Sequence, residues 1–229
     1  MTNDQNRTNA KKAWSDGPAA VCFDVDSTVV TEEGIDILAE HCGAGAEVAA
    51  WTAKAMGGSV PFHDALEARL QLIKPSLSDI ESCHVEHPLQ LTKGVKQLIS
   101  SLHDLGTHVY LVSGGFRQMI YPLADALNIP RKNVFANNIL HDDNGNYVGF
   151  DGEEPTSKAG GKAVVINSLK ETYGYQPMFM IGDGATDMEA RPPADFFIGF
   201  GGIIVRDKVQ AGADWFVTDM EDLIGHLSK

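Results

Sequence analysis

Hydrophobic and polar positions follow two different rhythms along this chain, and the rhythm changes near residue 88. The short apolar run Val21-Cys22-Phe23 leads into Asp24-Val25-Asp26, which predicts a buried strand with acids at its C-terminal edge. A helical period then takes over from residue 34 to about residue 78. Ile35, Leu38, Ala39 and Cys42 share one face, Val48, Trp51, Thr52 and Ala55 share another, and Gly57-Gly58 breaks the pattern. The next helix starts at about Pro61 and runs to Ile73. Ser78, with Glu81 three residues on, reads as the capping box of a further helix that stops before Pro88.

Beyond Pro88, helix and strand alternate. Val95, Leu98, Ile99, Leu102 and Leu105 make a helical stripe closed by Gly106. A strand follows at 108–112, then Ser113-Gly114-Gly115-Phe116 and another helix, which Pro122 is expected to kink. Residues 134–150 read as a strand and a hairpin turning at Asn144-Gly145. A helix at 161–173, strands at 178–181, 196–199 and 215–218, and a helix at 219–227 complete the series. Such alternation predicts an α/β fold, a doubly wound parallel sheet, carrying in addition the β-hairpin. The helical block is too long for a loop, so residues 34–90 are expected to form a small cap domain inserted after strand one. The core then comprises residues 18–33 and 91–229. Residues 1–17 are polar, mixed in charge and without a signal-peptide core, and are expected to be a disordered tail.

Composition narrows the function. Hydrophobic residues make up 43% and charged residues 21%, as in an ordinary globular protein. The 18 basic and 31 acidic residues give a net charge of −13, which argues against a nucleic-acid partner and means that an anion site needs its own cations. No run approaches the ~18 apolar residues of a membrane span. Cys22, Cys42 and Cys83 lack the pairing of a disulfide framework or metal motif, which fits reduced thiols in a cytoplasmic protein. Cys83, His84 and His87 fall on one short helix, a spacing read as coincidence and not as a zinc site.

The polar residues at predicted strand ends suit phosphoryl transfer. Asp24 and Asp26, on one side of a strand by alternation, repel unless a cation lies between them. Ser113-Gly114-Gly115 offers a hydroxyl and N–H groups for an anion at a helix start. Gly160-Gly161-Lys162 opens another helix with an ammonium suited to phosphate, and Asp183 and Asp187 supply hard oxygen ligands. Each element alone is commonplace; together, each after a strand, they point to one site. In the third cap helix, Arg69 sits within the apolar stripe of Phe62, Ala65, Leu66, Leu70, Leu72 and Ile73. Its guanidinium there needs either an internal carboxylate or a substrate anion. Glu33 begins the first cap helix, where an acid suits the helix dipole in any case.

Asp24-Val-Asp26-Ser-Thr28, Ser113, Lys162 and Gly182-Asp-Gly-Ala-Thr-Asp187 resemble the four motifs of the haloacid dehalogenase superfamily of phosphotransferases. The likeness is closest to its eukaryotic-type branch acting on free phosphoserine. It extends through Glu32-Glu-Gly-Ile-Asp36, Ala55-Met-Gly-Gly58, Val60-Pro-Phe62, Val112-Ser-Gly-Gly-Phe116, Met180–Ala190, Phe200-Gly-Gly202 and Arg206. The resemblance implies hydrolysis of O-phospho-L-serine through an aspartyl-phosphate, the last step of serine biosynthesis. Asp24 would be the nucleophile and Asp26 the acid and base, with Ser113, Gly114, Gly115 and Lys162 holding the phosphoryl group. Magnesium would be held by Asp24, the Asp26 carbonyl and Asp183, with Asp187 orienting its waters. Glu33 would take the substrate ammonium and Arg69 its carboxylate; Met56, Gly57 and Phe62 would line the pocket, with Thr186 and Arg206 contacting or bracing it. A homodimer is implied by the resemblance alone. Another small phosphomonoester, such as phosphothreonine, a phosphomutase reaction, and a receiver-like phosphoacceptor module remain the alternatives.

Overall fold

The computed structural model describes residues 2–56 and 60–227. In chain order its elements begin with α1 (Thr2–Ser15), β1 (Ala20–Phe23), α2 (Gly34–His41), α3 (Gly45–Met56), α4 (Phe62–Ile73), α5 (Leu77–Glu86) and α6 (Val95–Asp104). They continue with β2 (His108–Phe116), α7 (Arg117–Ala126), β3 (Val134–Asn137), β4 (Ile139–His141), β5 (Tyr147–Phe150) and α8 (Gly161–Tyr173). The last are β6 (Met178–Gly182), α9 (Ala185–Met188), β7 (Phe196–Phe200), α10 (Asp207–Gly212), β8 (Trp215–Val217) and α11 (Met220–Ile224).

Strand alternation sends successive side chains of β1 into two different cores. Val21 and Phe23 join Trp14, Leu98, Leu102 and Phe179 on one face, and Ala20 and Cys22 join Val165, Ile166 and Met180 on the other. Both faces are therefore covered, as the apolar strands require. The parallel sheet has the order β3-β2-β1-β6-β7-β8, and β4 and β5 form the separate antiparallel hairpin. Phe23 is in register with Leu111 of β2 and Ile181 of β6, so the residues just beyond β1 lie between two neighbouring strands. The sheet grows outward from β1 in both directions, which opens the crevice where ligands of such folds bind.

Helices α2 to α5 form a block between β1 and β2, entered and left through adjacent chain segments. Val30 bridges Leu91, Thr31 N–H donates to Gln90 O at 3.0 Å, and Thr92 N–H donates to Val29 O at 2.9 Å. Leu38, Val48, Leu66, Leu70 and Ile80 make the block's own core, which continues onto Phe116, Met119 and Ile139. A second tie involves Pro122 within α7. Lacking an N–H, Pro122 leaves the carbonyl of Gln118 without its helical donor, and Nε2 of His84 in α5 lies 2.9 Å from that oxygen.

Several expectations need correction. Residues 1–17 are largely the helix α1 and not a disordered tail: Ala10 and Trp14 are completely buried, and Trp14 Nε1 donates to Leu223 O at 2.9 Å. One four-residue spacing of apolar residues in a polar run is enough to dock it. The cap of α5 is Ser76, not Ser78. Its hydroxyl accepts from Asp79 N–H at 3.1 Å while Asp79 accepts from Ser76 N–H at 2.8 Å. Strand β2 runs on through Phe116 and α7 begins only at Arg117, so Ser113-Gly114-Gly115 lies in the strand and not at a helix start. The hairpin does turn through Asn144-Gly145, with Gly145 at φ 80° and the Asp142 carboxylate accepting from Asn144 and Asn146 N–H. No helix among the described residues is long and apolar enough to cross a membrane.

Trp14 packs edge-on against Phe179 (5.2 Å between centroids) and Trp215 (6.3 Å). Trp14→Ala is expected to cost about 3–5 kcal/mol, read as a lower urea midpoint. An unchanged midpoint would show that α1 does not contribute to the folded core.

Candidate active site

The end of β1 delivers Asp24, whose backbone N–H donates to Ile181 O at 2.8 Å and locks it beside β6. Its Oδ1 accepts from Val25 N–H at 2.8 Å and from Lys162 Nζ at 2.8 Å. Lys162 comes from the first turn of α8, which Gly160 enters in the left-handed region at φ 74°. The same ammonium reaches Asp187 Oδ1 at 2.6 Å. Burial works against the charged form of Lys162, but the Asp187 and Asp24 carboxylates outweigh it and the net direction is upward.

Strand β6 delivers the remaining acids. Asp183 follows Gly182, and its Oδ2 accepts from Arg206 Nε and Nη2, each at 3.0 Å. Asp187 is completely buried, and a Cβ on Gly182 would collide with its carboxylate, so only glycine fits there. Oxygens of Asp24, Asp183 and Asp187 lie within 4.8 Å of one another. Burial, and then the Asp24 charge, pushes the Asp183 and Asp187 carboxyls above the usual range. Buried hard oxygens with excess negative charge fit a divalent cation.

Asp26 departs from the expected pairing with Asp24 across one cation. The strand stops at Phe23, and Asp26 Oδ1 instead accepts from Gly34 N–H of α2 at 2.8 Å. Burial, then Glu33, then Asp24 push its carboxyl upward. Ser27 adopts φ 52°, a left-handed conformation that costs of order 1–3 kcal/mol in a non-glycine residue. That turn lets its hydroxyl donate to Glu33 Oε1 at 2.9 Å.

Ser113 is fully buried and its Oγ accepts from Gly115 N–H at 2.9 Å. A Cβ built on Gly115 would stand 3.1 Å from Asp26 Oδ2 and 3.2 Å from Ser113 Oγ, so these polar groups converge on the glycine pair. From the helical block, the Phe62 ring reaches Gly114, where a Cβ would meet its Cζ at 3.1 Å. Arg69 is only 9% exposed and its Nε donates to Ala65 O at 3.1 Å. Burial lowers its pKa, while the carboxylates of Asp36, Glu33 and Asp26 act to raise it. Thr186 is exposed beside Gly184. The Met56 side chain and Gly57 lie outside the described residues.

Sequence reasoning missed the support behind these groups. Thr28 Oγ1 lies 3.5 Å from Asp183 Oδ1. Asn137, fully buried at the end of β3, donates to Gly114 O at 2.7 Å and accepts from Thr156 Oγ1 at 3.0 Å. Its only signal was a polar residue closing an apolar strand. Asp36, in the first turn of α2, also went unassigned, although its carboxylate acts on the Arg69 guanidinium.

A carboxylate and an ammonium at the crevice of a doubly wound sheet, with more acids grouped beside them, mark a hydrolase of the phosphoryl-transferring kind. The model of the haloacid dehalogenase-like hydrolases matches residues 18–195, and the chain belongs to that family. It is 55% identical over 210 residues to the chloroplastic phosphoserine phosphatase of Arabidopsis thaliana, covering 91% of this chain and 71% of that one. With the phosphoserine phosphatase of Rattus norvegicus the identity is 52%, covering 92% and 93% of the two chains. A solved structure described as a phospho-aspartyl intermediate analogue of phosphoserine phosphatase superposes with a TM-score of 0.78. Its identity is 26%, with 93% of this chain and 100% of that one covered.

Raised acids make the metal-free fold sensitive to alkali. In the window between about pH 4 and their raised values, Asp26, Asp183 and Asp187 hold more protons folded than unfolded. Stability therefore falls as pH rises through that window. A divalent cation at about a hundred times its Kd is expected to add about 2.7 kcal/mol, about 5–10 °C in Tm, and to add more at pH 8 than at pH 5. Thermal unfolding with and without Mg2+ measures this; a shift that persists undiminished in Asp183→Asn would place the cation elsewhere.

Proposed function

We propose that this chain is a magnesium-dependent phosphatase that hydrolyses O-phospho-L-serine to L-serine and phosphate through a phosphorylated Asp24. The observation that carries this reading is the Asp24 carboxylate, oriented by Lys162 at 2.8 Å beside Asp183 and Asp187. The near full-length identity to proteins named phosphoserine phosphatase supports the substrate.

Asp24 attacks phosphorus in line, the phosphorus–oxygen bond to serine breaks, and the leaving oxygen needs a proton. Asp26 supplies it. Its Oδ1 is engaged by Gly34 N–H, which leaves the proton on Oδ2, the oxygen nearest Gly115 and Ser113. Burial and the neighbouring Glu33 and Asp24 charges favour that protonated form. Water then attacks the acyl phosphate, Asp26 takes its proton, and phosphate leaves with Asp24 regenerated. Negative charge gathers on the phosphoryl oxygens, where the Gly114 N–H, Lys162 and Ser113, itself held by the Gly115 N–H, stabilise it. Magnesium, held by the Asp24 and Asp183 carboxylates and the Asp26 carbonyl, with Asp187 orienting its waters, would relieve the repulsion between nucleophile and phosphate dianion.

Residues 34–90 act as the cap in this reading. Glu33 receives the substrate ammonium, and Arg69, with its planar fork, receives the carboxylate. Phe62, together with Met56 and Gly57, closes the pocket, Thr186 lines it from the core side, and Arg206 braces Asp183. The proposal includes a cytoplasmic homodimer without nucleic-acid or membrane partners, in keeping with the acidic surface.

Magnesium-dependent phosphate release from phosphorylated amino acids and simple esters tests the assignment. Asp24→Asn is expected to remove turnover, and Asp26→Asn to slow it by about 10²–10⁴. Arg69→Lys should impair phosphoserine far more than an ester without a carboxylate. Equal losses on both would remove Arg69 from substrate recognition, and substantial turnover by Asp24→Asn would remove it as nucleophile.

A further inference from the structure

Away from the acid centre, three metal-competent side chains meet where α2 and α5 end side by side. His41 is the last residue of α2, Glu86 the last of α5, and His87 the residue that caps α5. One ligand atom from each lies within 4.8 Å of the others. Nδ1 of His41 stands 3.6 Å from Glu86 Oε2, and the His41 and His87 rings are 5.6 Å apart between centroids, tilted by 74°. His84, on the same helix, is turned away toward Gln118 O, and Cys83 is buried in the block's core.

The hydrogen bonds around His41 decide which ring nitrogen faces Glu86. Ser82 Oγ donates its single proton to the carbonyl of Ser78 at 2.8 Å, with Asp79 O at 3.2 Å as a second acceptor. While its proton is held there, the same oxygen accepts from His41 Nε2, 2.9 Å away. In that arrangement Nε2 carries the proton, and a neutral ring presents its Nδ1 lone pair to the Glu86 carboxylate. Two acceptors facing each other at 3.6 Å, with a second imidazole beside them, are an arrangement that a shared cation stabilises. A proton on Nδ1 would serve the His41–Glu86 pair alone; a metal ion would serve all three groups. An imidazole with one nitrogen fixed by an outer partner and the other aimed at a carboxylate is the arrangement that ligating histidines show.

We propose that His41, Glu86 and His87 form a metal site separate from the acid centre, one that takes a borderline transition-metal ion such as Zn2+. Two imidazoles and a carboxylate suit zinc, whereas magnesium prefers oxygen alone, so the two sites select different cations. Glu86 and His87 are exposed, which leaves room for water to complete a tetrahedral shell. The ion would join the C-terminal ends of α2 and α5. Helix α2 spans about 12 Å at 1.5 Å per residue and carries Glu33 at its other end. The ion would thus brace the helix that presents Glu33 without touching the reacting groups.

Calorimetric titration of Zn2+ into the full chain, kept in a large excess of Mg2+ to occupy the acid centre, tests the site. One Zn2+ per chain is expected, with that uptake abolished in His87→Gln. Ser82→Ala frees the His41 tautomer while keeping every ligand, and is expected to weaken Zn2+ by about 10–100-fold. Circular dichroism and unchanged turnover of both variants in Mg2+ alone would show that the fold is intact. Absence of Zn2+ uptake by the wild-type chain under Mg2+ excess, or wild-type affinity in His87→Gln, would overturn the proposal.

Discussion

An ammonium buried between two carboxylates fixes the geometry of the whole centre. Lys162 is 7% exposed, and its contacts to Asp24 and Asp187 join the end of β1, the first turn of α8 and the short helix α9. Breaking such a buried pair by removing one partner costs about 3–5 kcal/mol, because the other charge is left uncompensated. The lysine does not balance the site, however. Asp24, Asp26, Glu33, Asp183 and Asp187 outnumber Lys162 and Arg206. Burial first, and then this remaining negative charge, raises the carboxyls of Asp26, Asp183 and Asp187 and favours a divalent cation among them. In the proposed mechanism, burial and this imbalance together account for metal affinity and for acid catalysis.

The segment from Asp24 to Gly34 couples core and helical block over very few residues. Asp24 belongs to the sheet edge, Asp26 is held by the first N–H of α2, and Ser27, in its left-handed conformation, holds Glu33 at the start of the same helix. A displacement of α2 would be felt at once by Asp26, the leaving-group acid of the proposed mechanism. Phe62 over Gly114 and His84 at the carbonyl vacated by Pro122 add two further contacts between block and core. The acid centre is thus assembled by the sheet and closed by the helices. In the proposed mechanism, substrate recognition and proton delivery share one structural element.

Much of this was legible because it depends on local period and on order along the chain. The apolar runs marked the strands, acids and glycines at their ends marked the crevice, and Arg69 stood out as a charge in an apolar stripe. What escaped was decided by tertiary contact. Helix α1 is polar almost throughout, and only its docking on Phe179 and Trp215 explains why it is ordered. Ser78 and Glu81 fit the capping pattern by spacing, but the reciprocal bonds of Ser76 with Asp79 place the cap two residues earlier. Strand β2 continues through its glycines because it still pairs with β3 at Phe116 and Asn137. The bonds of Asn137 to Gly114 and Thr156 link distant segments and leave no local trace. The grouping of His41 with Glu86 and His87 likewise joins two helices that no single-helix spacing connects.

The central claim is that phosphate passes through the side chain at position 24. Quenching the enzyme during turnover of phosphoserine, reducing the acyl phosphate with borohydride and mapping the peptides by mass spectrometry measures this directly. The expected product is homoserine in place of Asp24 and nowhere else. Reduction at Asp183 or Asp187, or unmodified peptides throughout while phosphate is still released, would contradict it.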